Sequence, residues 1–388
     1  MEILTIFGTR PEAIKLAPVI LELERHPGFL SKVCVTAQHR EMLDQVLALF
    51  EIEPDWDLGI MRPDQSPFEV ASRGLERLER VLREARPELV LVQGDTTTAF
   101  IGALAGYYLK IKVGHVEAGL RSGDKFVPFP EEMNRRLADA LADFLFAPTE
   151  EAKANLLREG FPRERIFVTG NTVIDALLWV VERQKSPEVR ARLERRFSEL
   201  ELDLDLKKRL ILVTAHRRES FERFEEICHG LKLLAESNSD VEIVYPVHLN
   251  PRVQGPVRRI LNGVERVHLI EPLDYESFAW LMSRAYLILT DSGGIQEEAP
   301  VLGKPVLVMR ERTERPEGLA AGAARLVGVD RERIFQEAQR LLDDPAEYAG
   351  MVHAAKEHPS LYGDGRAAER IVSILKERLS RPRLERRP

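Results

Sequence analysis

The chain has 388 residues, of which 44% are hydrophobic and 31% are charged, and its formal net charge is -7 at pH 7. A chain of this length can bury substantial cores and is long enough for two domains. The negative balance excludes a global basic field of the kind that attracts nucleic acid. The sequence contains no apolar run of 18 residues, so it predicts no membrane-spanning helix.

The two cysteines, Cys34 and Cys228, are far apart and lack the spacing of metal ligands. We expect both to be reduced core residues, with no disulfide and no metal site built on them. The first residues, MEILTIFGTR, enter a strand pattern directly and do not resemble a signal sequence. We therefore expect a cytoplasmic protein.

The first half of the chain alternates short apolar runs with helix-patterned stretches. Strands are predicted at 3–8, 32–37, 89–95, 111–118, 144–149 and 166–171. Helices are predicted at 13–25, 41–49, 68–84 and 97–109. Such alternation indicates βαβ units and a parallel sheet.

The same rhythm restarts after a highly charged stretch at 180–208, which we expect to form surface helices and a connection. Further strands are predicted at 209–216, 241–248, 266–272, 285–291 and 304–309. The sequence thus predicts an α/β fold of two Rossmann-like, doubly wound domains, with a ligand in an interdomain cleft. We place the first domain at 1–175, with the C-terminal helix 366–380 packing back on it, and the second at 176–365.

One segment of the second half, Tyr286 to Pro300, reads YLILTDSGGIQEEAP. It predicts a buried strand, a turn with Gly293 and Gly294, and a helix start. Helix N-termini present free N–H groups to anions, and glycine lets a phosphate approach the backbone. The pattern favours an anion site, although Ser-Gly-Gly also closes ordinary βα turns.

The first predicted strand is followed by GTRPEAIK, at residues 8–15. Thr9 fits the N-cap of a helix, and Arg10 and Lys15 place two cations near its first turn. This favours a diphosphate contact, against the alternative of a solvated helix face. The dinucleotide pattern GxGxxG and the P-loop pattern are absent from this turn.

Carboxylates follow two neighbouring predicted strands. Asp95 stands in QGDTTT and Glu117 in HVEAG, at the strand ends where open α/β sheets place their sites. Two such acids can divide acid and base roles, but Asp95 could instead cap a helix. Glu131 and Arg135 share a helical face at i and i+4, where an ordinary surface ion pair is the alternative.

Strand ends of the second half carry histidines and arginines. His216 and Arg218 follow one predicted strand in TAHRRES, and His248 follows the next. A strand-end histidine can donate to a phosphate or move a proton; the alternative is that it caps a carbonyl. Glu298 lies in the first helical turns after the glycine pair, and Arg315 lies in a charge cluster after a later strand.

Taken together, these motifs resemble the non-hydrolysing UDP-N-acetylglucosamine 2-epimerases over essentially the whole chain. The matching segments, in order, are GTRPEAIK, TAQHREMLDQV, QGDTTT, HVEAGLRS, PFPEEMNRR, TGNTVIDA, TAHRRES, YPVHLNP, DSGGIQEEAP and TERPEG. The resemblance implies a GT-B type fold and an isomerase that interconverts UDP-GlcNAc and UDP-ManNAc by eliminating UDP and adding it back. It implies no cofactor, in agreement with the missing GxGxxG pattern.

The resemblance also assigns roles to residues. It implies acid–base or catalytic roles for Asp95, Glu117, Glu131 and His216. It implies substrate contacts for Arg10, Lys15, Arg135, Phe278, Ser292, Gly293, Gly294, Glu298 and Arg315, with Phe278 beside the uracil and Glu298 on the ribose. Which carboxylate removes the C2 proton is left open.

Relatives of this type also bind a second UDP-GlcNAc as an allosteric activator. The resemblance places Gln38, His39, Glu41, Arg73, Arg218 and His248 in the matching motifs. It further implies a homodimer and a product used in cell-surface polysaccharide biosynthesis. Three other readings remain: a GT-B glycosyltransferase, a hydrolysing epimerase and a non-catalytic nucleotide-sugar sensor.

Overall fold

The computed structural model describes residues 1–36, 40–60, 62, 65–200, 202, 208–357 and 361–380, with only the backbone of Arg40 and Glu41. The chain divides into two compact units. One comprises Met1–Ala176 together with the chain from Tyr362 onward, and the other comprises Leu177–Leu361. Within the described residues, no helix has both the length and the apolar character needed to span a membrane.

The sheet of the first unit has seven parallel strands in the order β3-β2-β1-β4-β5-β6-β7. The strands are β1 Glu2–Phe7, β2 Leu30–Val35, β3 Trp56–Asp57, β4 Leu89–Gln93, β5 Lys112–Val116, β6 Phe144–Ala147 and β7 Ile166–Val168. All six predicted strands are confirmed. The two-residue edge strand β3 was missed, because so short a run has no readable periodicity.

A helix joins each consecutive pair of these strands, because parallel strands need a crossover connection. The helices of this unit are α1 Arg10–Glu24, α2 Arg40–Phe50, α3 Pro67–Ala85, α4 Thr97–Tyr108, α5 Glu131–Leu141, α6 Glu150–Arg158 and the start of α7 Thr172–Arg183. The C-terminal helix, labelled α16 in chain order, spans Ala367–Leu379 and packs against α1.

The second unit contains a parallel sheet in the order β10-β9-β8-β11-β12-β13. Its strands are β8 Arg209–Thr214, β9 Val241–Pro246, β10 Val267–Ile270, β11 Leu287–Thr290, β12 Val306–Val308 and β13 Ala324–Leu326. Its helices are α8 Pro187–Glu199, α9 Phe224–Ser237, α10 Pro251–Leu261, α11 Tyr275–Arg284, α12 Gly293–Val301, α13 Pro316–Ala320, α14 Arg331–Asp343 and α15 Pro345–Glu357. The five predicted strands are confirmed, and the short edge strand β13 was missed.

The central strands are almost continuously apolar because both of their faces are covered. In β4 all five residues are buried, and in β11 all four are. Cys34 and Cys228 are buried free thiols within the two cores, as predicted. Burial raises the pKa of each thiol to about 12.

Each sheet reverses its strand order once. The reversal lies between β1 and β4 in the first unit and between β8 and β11 in the second. At such a switch point, the loops after the two neighbouring strands run in opposite directions. They leave a crevice at the carboxyl ends of the strands in which a ligand can bind. These four loops and the first turns of the helices after them contain Arg10, Asp95, His216, Ser292, Gly293 and Gly294, and Glu117 follows the neighbouring strand β5.

Candidate active site

The turn after β1 is organised by a buried carboxylate, Glu12. Thr9 is the N-cap of α1, as predicted, and Glu12 in the first turn is 1% exposed. Its Oε2 accepts hydrogen bonds from the Gly8 amide (3.1 Å), the Thr9 amide (2.9 Å) and the Thr9 hydroxyl (2.7 Å). Its Oε1 accepts from the Thr96 hydroxyl at 2.6 Å, across the switch point. Burial raises the pKa of Glu12 to about 7, although its hydrogen bonds oppose that shift.

Gly8 has no room for a side chain. A Cβ there would lie 2.1 Å from the Thr36 hydroxyl and 2.6 Å from the Thr98 hydroxyl. Those two buried hydroxyls are hydrogen-bonded to each other at 2.9 Å. Gly8 therefore allows the Thr36 and Thr98 side chains to pack closely against the turn.

Glu117 lies directly after β5, in a left-handed backbone conformation with φ of 66°. Its buried carboxylate accepts hydrogen bonds from the Lys15 ammonium and from the Gln93 side-chain amide. A non-glycine residue in this region stores strain, and such strain is concentrated at functional sites. Lys15 and Glu117, predicted separately as a phosphate contact and an acid–base group, are thus brought together.

Asp95, after β4, faces the helix α5. Its carboxylate is paired with the Arg135 guanidinium, and its carbonyl accepts from the Asn134 side chain at 3.1 Å. Thr96, whose hydroxyl accepts from the Ala99 amide at 3.0 Å, is the N-cap of α4. The reading of Asp95 as a helix cap is therefore wrong.

Glu131 and Arg135 do not form the i,i+4 ion pair that was considered. Arg135 is 9% exposed and pairs instead with Asp95 and with the fully buried Glu132, at 2.9 Å. Glu131 begins α5, is half-buried, and has no hydrogen-bond or ion-pair partner among the described residues. Arg135 orients Asp95 in this structure, and a direct contact of Arg135 with substrate stays a prediction.

In the second unit, Asp291 fixes the loop after β8. This fully buried carboxylate accepts from the backbone amides of His216 (2.6 Å) and Arg217 (2.7 Å) through Oδ2. Nδ1 of His216 lies 3.4 Å from Oδ1 of Asp291, and its ring stacks on His248 with centroids 5.5 Å apart. Burial lowers the pKa of His216, against the attraction of Asp291, so its imidazole stays neutral to a lower pH than that of an unperturbed histidine.

The predicted anion turn lies next to this histidine loop, since β8 and β11 are neighbours. Ser292 is the N-cap of α12, and Gly293 and Gly294 form its first turn, whose amides have no acceptor within the helix. A Cβ built on Gly293 would meet nothing closer than the guanidinium nitrogens of Arg217, at 3.7 Å, and Arg315, at 4.0 Å. Two cations thus flank a helix N-terminus, which is a favourable arrangement for a diphosphate.

Arg217 was missed by the sequence analysis, which selected His216 and Arg218 in the same HRR run. Its Nε is buried with no hydrogen-bond partner among the described residues, while Arg218 is exposed in the following 3-10 turn. No sequence signal separates the two arginines, because they lie after the end of β8, where the alternation of a strand no longer applies.

Acidic residues of α12 are held from neighbouring elements. The Arg315 guanidinium is paired with the buried Glu297. The Tyr275 hydroxyl donates to Glu298 Oε2 at 3.2 Å, and burial, with the Glu298 charge, raises the pKa of Tyr275 well above its usual value. Phe278 lies half-buried on the same helix, α11, one turn after Tyr275. The predicted ribose and uracil residues therefore both lie on, or contact, α11.

Arg310 supports the Arg315 segment from behind. This arginine is 5% exposed and pairs with Glu219 and with both oxygens of Glu314, at 2.7 and 3.0 Å. The Arg310 guanidinium lowers the pKa of Glu314 to about 2. Because Glu314 directly precedes Arg315, the pair fixes the chain from which Arg315 extends.

Only part of the predicted activator site lies within the described residues. Gln38, His39 and the Glu41 side chain fall outside them. The Arg73 guanidinium donates to the Ile60 carbonyl at 2.9 Å and to Gln65 at 3.4 Å. His248 and Arg218 are exposed. The activator site stays a prediction.

One group of carboxylates within the described residues has the spacing of metal ligands. Oxygens of Glu226, Asp330 and Glu332 lie within 4.8 Å of one another. Both Glu226 oxygens, however, are paired with the Arg331 guanidinium, at 2.7 and 2.8 Å. The ion pair between Glu226 and Arg331 therefore neutralises part of the negative charge of this carboxylate group.

Comparison with known proteins agrees with this geometry. Residues 21–376 match the model of the UDP-N-acetylglucosamine 2-epimerase family. The chain is 58% identical over 377 residues to UDP-N-acetylglucosamine 2-epimerase of Salmonella typhimurium, covering 97% of this chain and 98% of that protein. It is 57% identical over 378 residues to the Escherichia coli K12 enzyme, with the same coverage.

Among solved structures, the chain resembles UDP-GlcNAc 2-epimerase from Neisseria meningitidis bound to UDP-GlcNAc. The TM-score is 0.88 and the identity 49%, over 97% of this chain and 100% of that one. The two doubly wound sheets are therefore those of the GT-B-like fold found in these enzymes. The chain belongs to the UDP-N-acetylglucosamine 2-epimerase family.

Proposed function

We propose that this protein catalyses the reversible epimerisation of UDP-GlcNAc to UDP-ManNAc, inverting C2 of the sugar. Family membership supports the reaction, and the anion-binding turn with its two arginines supports a UDP-linked substrate. The acid–base part of the proposal rests on one observation: the carboxylate of Glu117 is buried at the end of a strand, and its backbone is in the left-handed conformation.

Deprotonation that leaves a carbanion at C2 is implausible, because C2 of the sugar is not adjacent to a carbonyl. In the proposed elimination a base removes the C2 proton, the C–H electrons form a C1=C2 double bond, and the C1–O bond breaks. The electrons of that bond leave with UDP, which gives 2-acetamidoglucal. For the return step, C2 is protonated on the opposite face and the UDP oxygen forms a new bond to C1.

Groups of the first unit are proposed to move the proton. Asp95, Glu117 and Glu131 are the acid–base candidates, and they differ in environment. Glu117 accepts from Lys15 and Gln93, Asp95 is paired with Arg135, and Glu131 has no partner in the described part of the chain. Different surroundings allow carboxylates to take acid and base roles at one pH.

Groups of the second unit are proposed to hold UDP before and after the elimination. The amides of Gly293 and Gly294 with Arg217 and Arg315 would bind the diphosphate. His216, oriented by Asp291, would donate a hydrogen bond to a phosphate oxygen, and Glu298 would accept from the ribose. Preorganised donors of this kind stabilise the charge that develops on the departing UDP.

The product assay tests the proposal. Incubation of the purified protein with UDP-GlcNAc should give UDP-ManNAc, with both sugars still linked to UDP in the ¹H and ³¹P NMR spectra. Free ManNAc with UDP would instead identify a hydrolysing epimerase. Transfer of GlcNAc to an added acceptor would identify a glycosyltransferase, and binding without any turnover would identify a sensor.

Four finer expectations belong to the same proposal. A homodimer is tested by light scattering of the purified chain, and a cytoplasmic location by fractionation of its source cells. Activation by a second UDP-GlcNAc should make the reverse reaction, from UDP-ManNAc alone, accelerate when a small amount of UDP-GlcNAc is added. A role in cell-surface polysaccharide biosynthesis predicts loss of ManNAc-derived surface sugar when the protein is removed.

A further inference from the structure

His115 lies inside the first unit, between the two turns that carry Asp95 and Glu117. Its side chain is fully buried, and both ring nitrogens are hydrogen-bonded. Nδ1 contacts Asp139 Oδ1 at 2.6 Å, and Nε2 contacts the Gly94 carbonyl at 2.7 Å. A carboxylate and a carbonyl are both acceptors, so a ring that donates from both nitrogens satisfies this arrangement.

The contact of Nε2 with the Gly94 carbonyl controls the Asp95 turn. The Gly94 backbone is held on both sides, because its N–H donates to the Val116 carbonyl at 3.0 Å while its C=O accepts from His115. Asp95 is the next residue, and it shares the peptide group of that C=O. Its position therefore depends on a residue whose two backbone polar groups are both bound to β5.

Asp139 controls the Glu117 turn. This buried carboxylate of α5 accepts from the Gly119 amide at 3.3 Å and from the Arg121 guanidinium at 2.8 Å, besides His115. The Ala118 amide, in turn, donates to the Phe146 carbonyl at 3.1 Å. A left-handed Glu117 persists only where flanking contacts determine its backbone, and these are the contacts that do so.

We propose that the His115–Asp139 pair is a positioning device, which fixes the turns of Asp95 and Glu117 relative to each other for proton transfer at C2. Neither residue is a catalytic residue in this assignment. The inference rests on the proposed function, since it concerns the acid–base groups of that reaction. Displacement of a reacting group by about 1 Å can cost about 100-fold in rate, so such support has a measurable effect.

The test replaces His115 in three ways and measures turnover and UDP affinity separately. His115→Phe keeps the ring and removes both hydrogen bonds. His115→Asn keeps an N–H near the Nδ1 position, facing Asp139, and His115→Gln keeps one near the Nε2 position, facing Gly94. His268→Gln is the matched control, because His268 also pairs with a buried carboxylate, Glu242, but in the other sheet.

We expect His115→Phe to lower kcat by about 10- to 100-fold, because the carboxylates are displaced. The Kd for UDP, measured by calorimetry, should change by less than about twofold, since the proposed UDP contacts share no partner with His115. His115→Asn and His115→Gln should each lower kcat by less than His115→Phe does. The control should keep its kcat.

Unchanged kcat per folded molecule in the Asn and Gln variants, with only a lower Tm, would overturn the inference, even if His115→Phe fails to fold. An equal loss of kcat and of UDP affinity would also overturn it, because that pattern indicates general disruption. If the wild-type protein forms no UDP-ManNAc, the proposed function itself has failed, and the two failures are thus distinguished.

Discussion

The two switch-point regions share a topology but differ in the groups that surround their turns. In the first unit, buried carboxylates predominate, and each of Glu12, Glu117 and Asp139 is surrounded by donors. In the second unit, backbone amides and the guanidiniums of Arg217 and Arg315 surround an open turn. The proposed function divides its roles along this difference, with proton transfer assigned to the first region and anion binding to the second.

The glycines of the two regions make the same distinction. Gly8 is enclosed by hydroxyl groups that leave no space for a Cβ, whereas a Cβ on Gly293 would make only ordinary van der Waals contacts, with two arginine side chains. A glycine that serves internal packing and one that leaves room for a ligand look alike in sequence. Only the surrounding atoms separate them.

The largest predicted effect concerns the carboxylate of the first region. Glu117→Gln should lower kcat by about 10²- to 10⁴-fold, the usual contribution of a general acid or base, with little change in UDP affinity. The matched control is Glu76→Gln, because Glu76 is an exposed carboxylate on α3. If Glu117→Gln lost turnover and UDP affinity to the same extent, the assignment of proton transfer to the first region and of anion binding to the second would be wrong.

Glu12 gives the first region a pH-dependent stability. Its pKa is raised from 4.5 to about 7 in the folded protein, so the folded state holds this proton where the unfolded chain has released it. Between pH 4.5 and 7 the folded protein therefore loses stability as pH rises, by up to about 3 kcal/mol from this group.

We expect Glu12→Gln to remove that part of the pH dependence. The Tm of the variant relative to wild type should be higher at pH 8 than at pH 5, as measured by thermal unfolding at both pH values. A Tm difference that stays constant between pH 5 and pH 8 would contradict the assignment of this titration to Glu12.

His216→Ala tests the second region. Unlike Glu117→Gln, it should change UDP affinity as well as turnover. Loss of a hydrogen bond to phosphate should weaken UDP binding by about 1.5–3 kcal/mol, and turnover should fall with it. Calorimetry with UDP measures the affinity, and His353→Ala on the exposed face of α15 is the control. Undiminished UDP affinity in His216→Ala would argue that this histidine serves only its loop.

The glycine pair gives the smallest effects and the sharpest contrast. Gly8→Ala should destabilise the fold by about 1–3 kcal/mol, because the new methyl group meets Thr36 and Thr98. Gly293→Ala should leave Tm nearly unchanged, since its Cβ has no contact under 3.7 Å, but should weaken UDP binding. Thermal unfolding and UDP titration of both variants check this, and the reverse pattern would contradict the roles given to the two turns.

Much of this arrangement could be predicted from local patterns. Apolar runs ending in polar turns predicted eleven of the strands, and Thr9 and the Ser-Gly-Gly turn were assigned correctly to helix starts. The edge strands β3 and β13 were missed because neither is an apolar run: β3 has two residues, Trp56 and Asp57, and β13 has Arg325 at its centre.

The pairings within the site could not be predicted, because they join residues distant in sequence. Arg135 contacts Asp95 rather than Glu131, Glu12 reaches Thr96, and His115 meets Asp139 across 24 residues. Each of these depends on which strands become neighbours in the sheet. Arg217 was missed for a different reason, since a run of three basic residues does not tell which one faces the turn.

The central claim is that the protein inverts C2 by removing and returning its proton, and one measurement tests it most directly. UDP-GlcNAc is incubated with the protein in D₂O, and C2 of the recovered sugar nucleotides is observed by NMR. The account predicts that UDP-ManNAc forms with deuterium at C2, because the returning proton comes from a group that exchanges with solvent. UDP-ManNAc without deuterium, or no UDP-ManNAc at all, would contradict it.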